Sequence, residues 1–280
     1  MEKAIKKYLP IFVLPTLLAF LIGFVAPFLL GLWLSLCDFT TVTDAQFVGF
    51  SNFVLAVQDT VFQHSFWYTA LFTVVSVIVI NVVAFAIALA LTKKLRGTNL
   101  FRTVFFMPNL IGGIVLGYIW QLIFNGILAQ YSQALNLNEW YGFVGLVILV
   151  AWQQIGYMMI IYIAGLQSIP GDVLEAAEID GASAWRRLVD VTIPMMMSSI
   201  TICMFLSLTN GFKLFDQNLS LTAGEPSKMS EMLALNIYNT FYGRVGWEGV
   251  GQAKAVIFCL IVVAIGLIQL RATRSREVQQ

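Results

Sequence analysis

Residues 60–92 read TVFQHSFWYTALFTVVSVIVINVVAFAIALALT and contain no Asp, Glu, Lys or Arg. A helix needs about 20 apolar residues to cross a hydrocarbon layer about 30 Å thick. Backbone amides in lipid must find their hydrogen-bond partners within their own segment, so a run of this length predicts a transmembrane helix rather than a strand. The stretch therefore excludes an ordinary soluble fold for this part of the chain.

The composition of the whole chain agrees with this stretch. Of its 280 residues, 59% are hydrophobic and 11% are charged, whereas soluble domains are about 45–50% apolar and about 25% charged. The net charge of +1 argues against a nucleic-acid-binding protein, which normally has a basic surface. The three cysteines lack metal-ligand spacing, and the single histidine, His64, excludes a multi-histidine cluster. We predict no metal site and no catalytic residue in this chain.

Five further charge-free runs flank the first one, and the fold class that they predict is an all-α membrane protein with about six transmembrane helices. The chain is expected to form a single transmembrane domain over residues 1–280. Turn signals and run ends place the spans at about 11–37, 66–92, 103–125, 142–167, 193–214 and 250–271. The last run is short, so we expect it to include Lys254, with the ammonium group extending to the membrane interface.

The basic residues indicate the orientation of the spans. Alternate loops at 38–67 and 125–142 contain no Lys or Arg, whereas the loops at 93–102 and 168–194 and both termini contain twelve of the 16 basic residues. Because loops rich in Lys and Arg remain in the cytoplasm, both termini are expected to be cytoplasmic. The twelve are Lys3, Lys6, Lys7, Lys93, Lys94, Arg96, Arg102, Arg186, Arg187, Arg271, Arg274 and Arg276.

The cytoplasmic loop 168–194 differs from the rest of the chain because it contains five of the fifteen acidic residues. Pro170 can open a helix, and Gly181 supplies a position free to adopt a positive φ angle. The pattern predicts a helix–turn–helix hairpin with small residues at its tip, a shape suited to insertion into a partner's groove. A solvated surface loop is the alternative interpretation. The other long connection, 215–249, is expected outside, with a sharp turn at 222–226 and a short helix after it.

The hairpin residues resemble a known signature. Glu175-Ala176-Ala177, Asp180-Gly181-Ala182 and Pro194 match, in type and spacing, the EAA motif of integral-membrane permease subunits of ABC importers. Residues 101–125 and 221–238 resemble the carbohydrate branch, which includes permeases for maltose, multiple sugars and glycerol 3-phosphate. The chain departs from the pattern in two places, since Leu188 replaces the usual Phe and Glu225 replaces a second Gly.

This resemblance implies a type I ABC importer permease fold in a bacterial-type cytoplasmic membrane. The implied partners are a second homologous permease subunit, a dimeric cytoplasmic ABC ATPase and an extracytoplasmic solute-binding protein. ATP and Mg²⁺ would be bound by the ATPase, because this chain has no Gly-x-x-x-x-Gly-Lys-Ser/Thr loop. The resemblance assigns contact with the ATPase to Glu175, Ala176, Ala177, Asp180, Gly181 and Ala182.

A sugar site needs aromatic faces and neutral hydrogen-bonding groups, because ionised residues inside a membrane are costly. Polar and aromatic residues share faces of the fourth and fifth spans, and several match sugar-contacting positions of the maltose-type permease. The predicted substrate-binding residues are Trp152, Gln153, Gly156, Met159, Ser207, Asn210 and Gly211. The alternative interpretation is helix packing, which we favour for Asn81. Lys213 and Asp216 follow the fifth span, and an ion pair between them would be a gate or, as we prefer, an ordinary interfacial pair.

The sequence therefore predicts the membrane pathway of a sugar importer, with glycerol 3-phosphate or another polar solute as the alternative cargo. No Lys or Arg lies in the middle of a span, which favours a neutral solute. A membrane-embedded enzyme would need His, Asp or Glu pairs inside the spans. A stand-alone channel or secondary transporter would need internal repeats or charged coupling residues. The spans contain none of these features, so we consider both classes far less consistent with the sequence than an importer permease.

Overall fold

The computed structural model describes residues 2–93 and 97–274, and most of them are helical. Three of the twelve basic residues that predict the orientation, Lys94, Arg96 and Arg276, lie outside these residues. Strand β1 (Cys37–Asp38) pairs antiparallel with β2 (Gln46–Phe47). The α-helices are α1 (Glu2–Phe20), α2 (Ala26–Leu34), α3 (Ser51–Gln58), α4 (Thr60–Thr92), α5 (Thr98–Phe106), α6 (Gly113–Ala129), α7 (Glu139–Gln167), α8 (Gly171–Ile179), α9 (Ala184–Arg186), α10 (Ile193–Met195), α11 (Met197–Phe212), α12 (Asp216–Leu221), α13 (Leu233–Gly243) and α14 (Glu248–Arg274).

The described helices provide between four and six membrane spans. Four segments are long and apolar enough on their own, namely Ile11–Leu34, Thr60–Thr92, Glu139–Gln167 and Glu248–Ala272. Two pairs of bent helical segments bring the number to six if each pair is one span. The angle is 100° between Thr98–Leu110 and Gly113–Ala129. It is 72° between Ala184–Met195 and Met197–Phe212. The segment between α1 and α2, Leu21–Val25, is a π-helical turn.

The third expected span, 103–125, is not one straight helix. Pro108 lies in a short 3₁₀ turn, Met107–Leu110, and Ile111 and Gly112 are extended with ψ angles of 132° and 140°. Proline has no N–H to donate to the preceding turn, and the extended pair ends the helical path. The run of apolar residues predicted burial in lipid but did not reveal this break. Mean hydropathy depends on residue type alone, and it stays high whether the helix axis continues straight or bends.

The chain divides into two compact units, and the first comprises the described parts of 1–60 and 237–259. In this unit the Asn52 side chain donates to the carbonyl oxygens of Ser35 (3.1 Å) and Cys37 (2.8 Å), which ties α3 to the start of β1. Gly249 brings α14 against the same strand, because a Cβ there would collide with the Cys37 oxygen. Ala56, Val250 and Ala253 form a small apolar core between α3 and α14.

A buried cluster of charged residues lies in this first unit. The Lys254 ammonium group is 2.8 Å from Asp59 Oδ2 and donates to Thr240 Oγ1 at 2.8 Å. Arg244 also binds Asp59 Oδ2, at 3.2 Å. Lys254 has no exposed surface, so the expectation that it extends to the membrane interface is wrong. A buried ammonium group needs a nearby carboxylate, and Asp59 supplies one from the end of α3.

The second unit comprises 61–236 and the described part of 260–280. Its apolar core is built mainly from α4 and α7, with residues such as Phe72, Leu146 and Met158 fully buried. Helix α12 packs closely on α6, because a Cβ on Gly117 would collide with the Ser220 side chain. Glycine at position 117 therefore permits this approach.

Candidate functional site

The predicted hairpin forms between α8 and α9, and its turn is a Schellman motif. Pro170 precedes α8 in an extended conformation. At the other end, the Gly181 N–H donates to the Glu178 oxygen at 3.1 Å and the Ala182 N–H donates to the Ala177 oxygen at 3.0 Å. Gly181 adopts a φ of +78°, which side chains disfavour. The signature thus places its glycine at the one position of the turn that requires it.

The tip of the hairpin is open to solvent in the described structure. Glu175, Ala176, Asp180 and Gly181 are exposed, whereas Ala177 and Ala182 are half-buried. A Cβ on Gly181 would meet no atom within 4 Å. Two large apolar side chains beside the tip are also exposed, Ile179 at 86% and Trp185 at 72%. Exposed apolar groups of this size on a polar hairpin are typical of a protein-binding surface.

An ion pair that we did not predict braces the hairpin. Arg187 donates to the Glu178 carboxylate at 2.8 Å, which connects α8 to the π-helical segment Arg187–Thr192. The Ser183 side chain also caps α9 by accepting from the Arg186 N–H at 3.3 Å. Glu178 and Arg187 are nine residues apart across a turn, so their contact has no periodic signal in the sequence.

A polar cavity of about 270 Å³ lies in the second unit, where α11 ends and α12 begins. At its wall the Asn210 side chain donates to Gln154 Oε1 at 3.4 Å. The cavity is lined by Gln154, Asn210, Lys213, Leu214, Phe215, Asp216 and Gln217. Carboxamides both donate and accept hydrogen bonds, so this lining suits a ligand that carries hydroxyl groups.

A chain of hydrogen bonds supports the cavity wall. Gln217 donates to Gln153 Oε1 at 2.7 Å, and the Gln153 amide donates to the Ile111 oxygen at 3.1 Å. Ile111 is one of the two extended residues that break the third span. The break thus exposes a carbonyl group to which Gln153 binds. Gln217 was not predicted as a site residue from the sequence, because it lies beyond the fifth span, in a loop expected to be outside.

The loop that holds Gln217 is folded rather than open. Asn218, which is fully buried, donates to the Ser230 oxygen at 2.8 Å and accepts from the Met232 N–H at 2.9 Å. Positive φ angles at Ala223 and Gly224 make the sharp turn predicted at 222–226. The helix predicted after this turn is also present, as α13. Asn218 therefore anchors the segment that positions the cavity residues.

The predicted substrate-binding residues separate into two groups. Asn210 lines the cavity, Gln153 supports it through Gln217, and Trp152 is 42% exposed with its ring 5.5 Å from that of Trp120. The other members have packing partners in this conformation. A Cβ on Gly156 would collide with the Phe105 backbone, one on Gly211 would lie 2.9 Å from Thr73, and Met159 is fully buried.

Ser207 belongs to a buried hydrogen-bond network. It accepts from Asn81 Nδ2 at 2.8 Å and donates to the Cys203 oxygen at 2.7 Å. Tyr162 donates to Asn81 Oδ1 at 2.7 Å, so three helices meet at one amide. The prediction that Asn81 makes a packing hydrogen bond is confirmed. The interpretation of Lys213 and Asp216 as an ion pair is wrong, because no ion pair joins them in the part of the chain that the structure describes.

The spans, the exposed hairpin and the polar cavity are typical of an integral-membrane transport subunit. A family described as "Binding-protein-dependent transport system inner membrane component" matches residues 83–275. The chain is 43% identical over 277 residues to the probable starch degradation products transport system permease protein AmyD of Thermoanaerobacterium thermosulfurigenes, covering 96% of this chain and 94% of that protein. It is 28% identical to the multiple sugar-binding transport system permease protein MsmF of Streptococcus mutans, with 95% of each covered.

Solved structures agree on the fold. A chain of a bacterial ABC transporter that imports the acidic polysaccharide alginate superimposes with a TM-score of 0.83 at 19% identity, covering 98% of both chains. This protein belongs to the binding-protein-dependent transport system inner membrane component family. It is a multi-pass permease subunit of an ABC importer in the cytoplasmic membrane, and a separate subunit hydrolyses ATP. An ATPase and a solute-binding protein are its partners. The described residues contain no cluster that could hold a metal ion.

Proposed function

We propose that this chain forms part of the membrane pathway for a sugar or oligosaccharide, beside a second homologous permease subunit and above a dimeric ATPase that binds ATP and Mg²⁺. Both termini would lie in the cytoplasm. The observation that carries the cargo assignment is the cavity at the end of α11, whose lining combines three carboxamides with an aromatic residue, Phe215. The names of AmyD and MsmF, which refer to starch degradation products and multiple sugars, support the same cargo.

The hairpin would transmit the work of ATP hydrolysis to the cavity. Helix α8 begins four residues after α7 ends at Gln167, and Gln153 and Gln154 lie within α7. Closure of an ATPase dimer around the hairpin tip would move α7 with it largely as a rigid body, because the connection between α7 and α8 is short. The Glu178–Arg187 ion pair would transmit the same motion to the arm that leads to α11. The same motion would tilt one wall of the cavity relative to the partner permease and open it to alternate sides.

Gentle affinity purification from native membranes, followed by mass spectrometry, tests the assembly. We expect an ATPase with a nucleotide-binding loop, a second permease with an EAA signature and a solute-binding protein. Transport of maltotriose by the reconstituted complex then tests the cargo. Recovery of the chain with none of these partners, in a detergent that preserves other importers, would contradict the proposed assembly.

Glu175→Lys should weaken binding of the ATPase. The residue is exposed on α8, and reversal of its charge introduces repulsion or a desolvated cation in a docked interface. We expect co-purification of the ATPase to fall about tenfold, which corresponds to about 1.4 kcal/mol. The matched control is Asp38→Lys, which reverses an exposed charge on β1 and should leave the yield unchanged. An unaltered yield for Glu175→Lys would remove this residue from the contact surface.

Trp152→Ala should reduce uptake of maltotriose while the complex still assembles. The indole is partly exposed beside Trp120, and aromatic faces provide large contact areas for the apolar faces of a sugar ring. We expect uptake at subsaturating sugar to fall about tenfold, as for a loss of about 1.4 kcal/mol. Trp67→Ala, which removes an exposed indole from α4, serves as the control. Unchanged uptake kinetics would assign Trp152 to packing alone.

A further inference from the structure

Two oppositely charged side chains line the polar cavity and remain unpaired. Lys213 follows the last residue of α11 and Asp216 is the first residue of α12, and both are exposed. Both belong to the cavity wall. Within residues 2–93 and 97–274, neither side chain makes a hydrogen bond or an ion pair. Each therefore keeps its full hydrogen-bonding capacity for a ligand in the cavity.

The carboxamides next to these charges are held in place. Gln153 and Gln154 are almost completely buried, and their partners are Gln217 at 2.7 Å and Asn210 at 3.4 Å. Each carboxamide provides two donor hydrogens and an acceptor oxygen, so these pairings leave donors and acceptors unused. Because these hydrogen bonds already orient the carboxamides, less of their ordering would have to accompany ligand binding.

The charges in the lining balance. A neutral sugar hydroxyl can donate to the Asp216 carboxylate, accept from the Lys213 ammonium group, or do both through adjacent hydroxyls. An acidic or phosphorylated sugar would gain the attraction of Lys213 but would meet the like charge of Asp216 in the same small space. The repulsion by Asp216 offsets the attraction of Lys213, so an anionic ligand gains no net attraction in the cavity and still bears the cost of losing its own hydration.

We propose that Lys213 and Asp216, with Gln154, Asn210 and Gln217, form a charge-balanced subsite that binds the hydroxyl groups of a neutral oligosaccharide and rejects its acidic counterpart. This inference rests on the proposed function and adds the determinant of charge selectivity. Repulsion built into a site against the wrong ligand is a common source of specificity. Asp216 supplies that repulsion here, and Lys213 supplies binding.

The test uses the assembled importer, with its second permease and ATPase but without the solute-binding protein, in lipid nanodiscs. Equilibrium dialysis with radiolabelled maltotriose and with maltotrionate, its aldonic acid, measures binding directly and removes the selectivity of the binding protein. The wild-type complex should bind maltotriose about tenfold more tightly than maltotrionate, a difference of about 1.4 kcal/mol. Asp216→Asn should bring the two affinities to within about twofold by strengthening binding of the acid.

Lys213→Met should weaken maltotriose about fivefold and should weaken maltotrionate more, because the attraction of the cation is lost. Lys228→Met, at an exposed lysine outside the cavity, is the matched control and should leave both affinities unchanged. An unaltered ratio in Asp216→Asn, or unaltered affinities in Lys213→Met, would overturn the subsite while the carbohydrate cargo stands. A wild-type complex that retains its ATPase but binds neither probe would instead contradict the cargo itself, and the subsite with it.

Discussion

Replacing Gly181 with valine should abolish coupled transport while the membrane spans remain folded. The residue has a φ of +78° in the Schellman turn that follows α8. A side chain in this conformation costs about 1–3 kcal/mol, and a β-branched one belongs at the upper end. The turn can avoid this cost by changing its path, which would displace Glu175 and Asp180 relative to the ATPase. We expect ATP-driven uptake to fall by about a hundredfold, as for a loss of about 2.7 kcal/mol in coupling.

Gly171→Val is the matched control for this variant. Gly171 also lies in α8, and a Cβ there would likewise meet no atom within 4 Å, but this glycine does not have a positive φ angle. The same side chain at that position should therefore leave uptake close to the wild-type rate. Reconstituted proteoliposomes with external maltotriose and internal ATP provide the measurement. Normal uptake by Gly181→Val would contradict the role of the hairpin as a coupling element.

Asp59→Ala should strongly destabilise the first compact unit. The change removes the carboxylate that lies 2.8 Å from Lys254 and 3.2 Å from Arg244. Lys254 has no exposed surface, so its ammonium group would remain buried without the carboxylate that balances its charge. Removing one partner of a buried ion pair costs about 3–5 kcal/mol. We expect a much shorter half-life of the purified protein in mild detergent on heating, measured as loss of monodisperse protein.

Two further variants distinguish this mechanism from a general effect of losing an acid. Asp38→Ala removes an exposed aspartate from β1 of the same unit, and surface changes of this kind usually have little effect on stability. The double variant Asp59→Ala/Lys254→Met also removes the buried positive charge, and it should recover part of the lost half-life. If Asp59→Ala is as stable as the wild type, the cluster contributes nothing to this unit.

The environment of Lys254 could not be predicted from the sequence. Its place at the start of an apolar run predicted a side chain that reaches the membrane interface, because a long stem usually allows this. Asp59 is 195 residues away along the chain, and no local pattern connects the two. Only the packing of α14 against α3 brings the ammonium group to the carboxylate.

The hairpin was predictable in detail because its determinants are local. A proline that can open α8, a glycine that can adopt a positive φ angle and the small residues between them act within about one short helix of each other, and the structure has the expected turn at Gly181. The ion pair that braces it was not predictable. Glu178 and Arg187 meet because of the path that the chain takes after the turn, and many charged pairs with similar spacing never meet.

The candidate cavity was predictable only in part. Gln153 was identified by its position near the middle of the fourth span, and Asn210 by the helix face that it shares with Ser207 and Gly211. Gln217 and Asp216 were missed as ligands because they lie in a connection, and hydropathy gives no information about how a connection folds back. Gly156 and Gly211 matched sugar-contacting positions, but in this conformation the absence of their side chains admits Phe105 and Thr73.

The sequence by itself determined that the chain enters a membrane, that its loop at 168–194 forms an exposed hairpin, and that it resembles an importer permease. Each of these depends on residue type and short-range spacing, which the linear chain contains completely. The tertiary structure alone decided where the third span breaks, how Lys254 is neutralised and which side chains line the cavity. These features depend on contacts between residues far apart in sequence, and such contacts arise only when the helices pack.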